Sequence, residues 1–271
     1  MSLEVLPQRR VRPESVEASL LFLEPSPRKP RVDVSYDAAL LPATELYAPR
    51  RVRLQDARAV GASLDAEGFE LQIHASKVDD FYDEDLATNV GRTEAAQLVS
   101  AATGAARVHV FDHTRRRRAP DATRQPSTRV HVDYTEASAP QRVRDLFGAD
   151  ADALLLRRFA FINVWRPIRH PAQDWPLALC DARSVEPGSL VATDLVYPDR
   201  RGEIYGLVYH AQQRWFYVPD MGLDEAVLIK CYDSREDVAR FTPHTAFASP
   251  LTPPGAPARE SIEFRTIAFF D

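Results

Sequence analysis

The feature that most constrains this chain is a long series of short, β-rich runs separated by turn residues. Arg107–His113 (RVHVFDH) and Arg129–Thr135 (RVHVDYT) alternate in polarity. Further runs rich in Val, Ile, Phe, Tyr and Trp follow at Phe159–Trp165, Leu177–Ala182, Ser189–Tyr197, Glu203–Tyr209, Arg214–Val218, Ala226–Tyr232 and Ser261–Phe270. Period-two alternation bounded by Pro, Gly, Asp and Ser is the pattern of strands. Proline outnumbers glycine, 21 to 10. Because proline cannot donate to a ladder, it collects at strand ends and turns. Many short strands with one strong helical stretch predict a sandwich or barrel.

The rest of the chain reads as flanking structure. Two short strands are predicted at Arg51–Asp56 and Phe69–His74. The helical stretch is Asp79–Thr103, with Ala95, Leu98, Val99 and Ala102 on one face. Gly91 is expected to split it, Thr93 to cap the second helix and Gly104 to end it. Before residue 50, Pro7, Pro13, Pro25, Pro27, Pro30, Pro42 and Pro49 leave only Val16–Leu23 and Arg31–Leu41 as sizeable runs. These predict an arm wrapping the core with a strand or two. The run Arg115–Arg118 reads as a solvated turn between strands.

Composition removes several functions. The formal net charge is −5, which does not suggest nucleic-acid binding. No apolar run approaches the roughly 18 residues of a membrane span, and the N-terminus has no long apolar core of a secretory signal. Two cysteines, Cys180 and Cys231, exclude a disulfide scaffold or a four-thiolate zinc site. A reduced cytoplasmic setting is expected.

The chemistry centres on His131-Val132-Asp133. On a strand, residues i and i+2 project from one face, about 6–7 Å apart. An imidazole and a carboxylate placed so can converge on one metal. Two histidines and one carboxylate form the facial triad of non-haem Fe(II) oxygenases. A distal histidine is then required; His244 follows a strand-like run, and His210 ends one (EIYGLVYH). In the last strand Arg259, Ser261, Glu263 and Arg265 share a face. A buried guanidinium there needs an anionic partner. That partner is either Glu260 or Glu263, or a ligand carboxylate held bidentately with a hydroxyl beside it.

His-x-Asp, a distal His and Arg-x-Ser together resemble the pattern of Fe(II)- and 2-oxoglutarate-dependent oxygenases. The segments VFDHTRRR, RVHVDYT, NVWRPI, PLALCD, RWFYVPDM, DEAVLIKCYDS, PHTAF and RESIEFR are similar to one branch of them. This is the branch of secondary-metabolite hydroxylases and desaturases related to the cephamycin methoxylation protein and to gibberellin-desaturase-like proteins. The resemblance covers residues 105–271 strongly and 50–104 loosely. It implies a mainly β fold with flanking helices, a double-stranded β-helix (jelly roll, cupin-like). It implies one oxygenase domain over 1–271, with an arm (1–50), flanking strands and helices (51–104) and the jelly-roll core (105–271).

The resemblance implies His131, Asp133 and His244 as ligands of Fe(II). It implies Arg259 with Ser261 as the clamp for the 2-oxoglutarate carboxylate, with Arg265 as a second clamp residue, and O2 as cosubstrate. His210 matches no ligand position. Gln213 stands where the family often has a histidine, which puts a role there in doubt. Tyr134, Arg166 and residues 77–90 are expected near the substrate, and Trp165 either there or in plain core. The expected reaction is hydroxylation or desaturation of a small-molecule, secondary-metabolite substrate. A homodimer built on the N-terminal arm is an option. The alternatives are a cupin-like metal oxygenase without 2-oxoglutarate, a non-catalytic accessory barrel, and a zinc hydrolase.

Overall fold

The computed structural model describes residues 14–33 and 46–271. The parts of the expected arm at 1–13 and 34–45 lie outside the described residues. The strands are β1 (Ser15–Leu23), β2 (Arg31–Asp33), β3 (Tyr47–Asp56), β4 (Phe69–Ile73), β5 (Arg107–Arg117), β6 (His131–Val132), β7 (Phe159–Pro167), β8 (Leu177–Cys180), β9 (Leu190–Val196), β10 (Arg201–Leu207), β11 (Trp215–Tyr217), β12 (Glu225–Asp233), β13 (His244–Ala246) and β14 (Glu260–Phe269). The helices are α1 (Glu84–Leu86), α2 (Arg92–Thr103), α3 (Ser138–Phe147) and α4 (Ala151–Leu155).

Two sheets form the jelly roll expected from the sequence. The larger has the order β1-β3-β11-β8-β13-β6-β10-β9-β2 and the smaller β4-β12-β7-β14-β5. Alternation decides what each face buries. From the smaller sheet Phe161, Trp165, Val227, Ile229 and Ile267 point inward and meet Val132, Leu179 and Phe216 of the larger one. The alternate residues Ile162, Val164, Leu228, Ile262 and Phe264 point outward and pack under Ala95 and Val99 of α2. Burying a side chain of this size contributes about 1.5–3 kcal/mol. Both faces of the smaller sheet are therefore committed to apolar packing, and polar residues on its inner face require a separate explanation.

The N-terminal stretch is more regular than an arm. β1 pairs with β3 across nine consecutive residues. Its buried residues Val16, Ala18, Leu20 and Phe22 extend a core with Trp215 and Tyr217. Among the described residues Pro25, Pro27 and Pro30 fall outside the paired runs, and Pro49 enters the ladder opposite Leu21, so proline content understated the order.

Three local expectations are corrected. First, Gly91 does not split the helix. It is helical (φ −60°, ψ −44°) and ends a π-helical turn, Ala87–Gly91, that joins α1 to α2. α1 itself starts from Asp83, whose carboxylate accepts from the Asp85 and Leu86 amides. Thr93 is not a cap: its hydroxyl donates to the Asn89 carbonyl. Glycine is needed at 91 for space, since a Cβ there would lie 2.7 Å from Cζ of the buried Phe264 ring. Gly91→Ala is therefore expected to destabilise the fold by about 1–3 kcal/mol, read as a fall of roughly 2–10 °C in melting temperature. Gly104 does end α2, in the left-handed conformation (φ 70°).

Second, α3 was not expected. Its buried Ala139 and Val143 and partly buried Leu146 and Phe147 keep helical spacing. Thr135 and Ser138 start it by bonding each other's backbone amides. Third, the arginine run is not a solvated turn. Arg115, Arg116 and Arg117 complete β5 and pair with Ile262, Ser261 and Glu260 of β14. Strand alternation divides them: Arg115 and Arg117 reach Glu84 and Asp121, whereas Arg116 turns inward.

Candidate metal centre

β6 is two residues long, and β13 begins at His244. Their single paired position is His131 opposite His244. Directly opposed residues on antiparallel strands point to the same face, and the two imidazole centroids lie 4.6 Å apart. Asp133, just beyond β6, brings Oδ1 to 3.4 Å from His131 Nε2. One ligand atom from each of His131, Asp133 and His244 lies within 4.8 Å of the others.

Neighbouring groups orient these donors. His131 Nδ1 faces the Arg129 carbonyl at 2.8 Å, and His244 Nδ1 faces the Thr242 carbonyl at 3.0 Å. With Nδ1–H donating to a carbonyl, the Nε2 lone pair is free for a metal. Asn163, on the inner face of β7, donates to Asp133 Oδ2 at 2.7 Å. Burial alone would raise the Asp133 carboxyl, but His131 and the Arg265 guanidinium outweigh it and hold it well below the usual range. Burial, with His131 beside it, also pushes His244 down. The set offers two imidazole nitrogens and one carboxylate. It fits a divalent cation of the first transition row.

The same cavity holds Arg259, with Arg116, Trp165 and Glu263. Arg259 is 4% exposed. Its Nη1 donates to the Trp175 carbonyl at 2.7 Å, and its guanidinium lies 5.4 Å from the Trp165 ring centre. The alternative ion pair is not formed: among the described residues Glu260 accepts from Tyr82, and Glu263 lies 3.2 Å from Arg265. Nε of Arg259 is buried without a hydrogen-bond partner. Burial, followed by Arg116, pushes this guanidinium down to about 9. A buried cation with an unused donor fits a carboxylate. Arg265 is already engaged, by Asp112 at 3.1 Å as well as by Glu263.

The remaining predicted residues divide. Tyr134 packs against Phe161 with its ring tilted, ring centres 4.1 Å apart, and lines a larger open groove with Phe111, Arg142, Tyr197 and Arg265. Asp133 lines both the groove and the inner cavity. Arg166 points to the opposite face of β7, where it donates to the His74 and Leu223 carbonyls and lies over Phe81. Residues 77–90 also lie on that outer side, where Val78, Phe81 and Ala87 pack with Phe264. His210 is outside the site, 3.6 Å from Glu186. Arg116, which also lines the cavity, is not among the site residues expected from the sequence. Only the pairing with β14 shows which of four consecutive arginines turns inward.

Set in a jelly roll, this donor arrangement defines the class of non-haem iron oxygenases. The chain belongs to the Fe(II)/2-oxoglutarate-dependent dioxygenase family, in its branch of secondary-metabolite hydroxylases and desaturases. A family described as "Oxidoreductase/YMDC permease-like domain" matches residues 20–269. The Fe(II)/2-oxoglutarate-dependent dioxygenase nvfI of Aspergillus novofumigatus (strain IBT 16806) is 32% identical, over 96% of this chain and 94% of its own. The hydroxylase/desaturase CTB9 of Cercospora beticola is 33% identical over 90% and 89%. A solved structure of the iron and alpha-ketoglutarate-dependent endoperoxidase NvfI superimposes with a TM-score of 0.85, at 29% identity, over 95% of this chain and 98% of that one. The enzyme uses Fe(II), 2-oxoglutarate and O2. Among the described residues no helix is long and apolar enough to cross a membrane.

Proposed function

We propose that His131, Asp133 and His244 hold the iron and that Arg259, with Ser261, holds the far carboxylate of 2-oxoglutarate. The observation that carries this reading is the shared cavity: the three donors and the buried guanidinium with its unused Nε line the same space. Bound iron with 2-oxoglutarate supplies the oxidising chemistry for an unactivated C–H bond. The protein's own groups orient it. The Arg129 and Thr242 carbonyls hold the imidazoles, Asn163 holds the carboxylate, and Trp165 lies against Arg259. Arg265 is the weaker clamp residue in this reading because Asp112 and Glu263 already engage it.

The substrate enters through the groove lined by Phe111, Tyr134, Arg142 and Tyr197, which reaches the iron side at Asp133. Its lining sets the rings of Phe111, Tyr134 and Tyr197 beside charged side chains such as Arg142, Asp145 and Arg200, which suits a small organic molecule with polar groups, such as a secondary metabolite. Tyr134 then contacts substrate; Arg166 braces the fold. We extend the reading to a single domain over 1–271 acting in the cytoplasm, in line with the free cysteines Cys180 and Cys231. The homodimer option is settled by sedimentation of the full chain.

The test is anaerobic titration of apo protein with Fe(II) and then 2-oxoglutarate. A visible charge-transfer band that needs both is expected. Iron binding without the band would sink the cosubstrate site, and no iron binding would sink the triad. Asn163→Ala should weaken Fe(II) affinity by about 10–100-fold, the usual effect of removing an outer partner of a ligand. Equal affinity would show that Asp133 needs no such support.

A further inference from the structure

Arg116 has no role in the reading so far, yet its position is specific. It stands directly opposite Ser261 in the β5–β14 ladder. Opposed residues share a face, so Arg116 lies beside the proposed clamp, with Arg259 and Glu263 two positions to either side of Ser261. It lines the cavity that holds His131, Asp133, His244 and Arg259. The groups around its guanidinium are Glu263 and Asp133 of one sign, and Arg265, Arg124 and Arg259 of the other. Its Nη1 donates to the Gln125 carbonyl, 2.9 Å away.

Two guanidiniums in one buried cavity repel each other, and burial without compensation is costly. Among the described residues that line the cavity, the fixed counter-charge besides the metal ligand is Glu263, which also faces Arg265; Asp174, which lies near Arg259 outside that lining, is matched by Arg118. Arg265 is matched by Asp112. Arg124 is exposed and does not line the cavity; among the groups that do, with a divalent metal and a dicarboxylate present, the remaining charges cancel. The dianion, Asp133 and Glu263 carry as much negative charge as the metal, Arg116 and Arg259 carry positive. With Arg259 as the sole cation, the loaded cavity would hold one uncompensated negative charge.

From this register and charge count we infer that Arg116 is a second binding residue for the dicarboxylate cosubstrate, sharing its charge with Arg259, and that Glu263 tunes that affinity in the opposite direction. The inference rests on the assignment of this cavity to 2-oxoglutarate. It differs from a structural role, in which Arg116 would serve only to fasten the loop at Gln125.

The test is calorimetric titration of 2-oxoglutarate into the full chain loaded with Mn(II), a redox-inert stand-in for iron, for the wild type, R116Q and E263Q. R116Q is expected to bind 2-oxoglutarate about 10-fold or more weakly. E263Q, which removes a like charge, is expected to bind it about 3-fold more tightly. Mn(II) affinity should stay within about 2-fold of wild type in both. A loss of cosubstrate affinity in R116Q smaller than about 3-fold, with wild type binding normally, overturns the role of Arg116 and leaves the proposed function standing. No 2-oxoglutarate binding by loaded wild type overturns both. If R116Q does not fold by circular dichroism, E263Q decides: tighter binding supports the inference, and equal or weaker binding overturns it.

Discussion

Asp133→Ala is expected to abolish Fe(II) retention and turnover while the jelly roll stays folded. Asp133 supplies the only carboxylate of the three-residue donor set. Removing an outer partner of a ligand already lowers metal affinity about 10–100-fold, so losing the ligand should lower it by more than about 100-fold. The substitution also leaves the Asn163 amide without its acceptor and removes a negative charge beside Arg265. These losses are local, because Asp133 lies beyond the last residue of β6 and carries no ladder pairing. Metal analysis of the purified variant, with circular dichroism as the fold control, checks both halves. Turnover at the wild-type rate would remove Asp133 from the metal site.

Arg259→Ala should leave Fe(II) affinity near wild type and lower 2-oxoglutarate affinity by about 100-fold, within the range for truncating one partner of a buried charge pair. The separation follows from geometry. Arg259 is held by the Trp175 carbonyl and the Trp165 ring, and none of its hydrogen bonds reaches His131, Asp133 or His244. Titrating 2-oxoglutarate into Fe(II)-loaded variant under anaerobic conditions gives the number. An unchanged affinity would move the clamp to Arg265.

The parts of this protein that could be read from sequence are those set by a short local pattern. Strands such as Phe159–Trp165 and Ala226–Tyr232 carry enough β-branched and aromatic residues to be found to within two residues of their bounds. His-x-Asp, the distal histidine and Arg-x-Ser were legible because the resemblance supplied their order along the chain. What could not be read depended on pairing partners. Arg115–Arg117 look alike in sequence, and only β14 makes one of them face the cavity. Arg166 looked close to the site because it follows Trp165, but strand alternation sends it to the opposite face. The sequence expectation for Gly91 followed its helix propensity, while the structure sets it by contact with Phe264, 173 residues away in the chain (264 − 91). The helix Ser138–Phe147 is different: the apolar spacing of Ala139, Val143, Leu146 and Phe147 was present in the sequence and went unread.

The pairing of β6 with β13 consists of one residue opposite another, His131 and His244. Strands this short make few ladder hydrogen bonds, so the middle of the larger sheet is joined weakly by its own backbone. A metal bound to both histidines, as proposed above, would act there as a crosslink, fastening two strands that are 113 residues apart in sequence (244 − 131). Metal binding free energy then becomes folding free energy. The gain in stability grows with the logarithm of free metal over its dissociation constant, reaching about 2.7 kcal/mol at a hundredfold excess. Iron supply would thus govern how long each molecule of this protein survives as well as how fast it turns over.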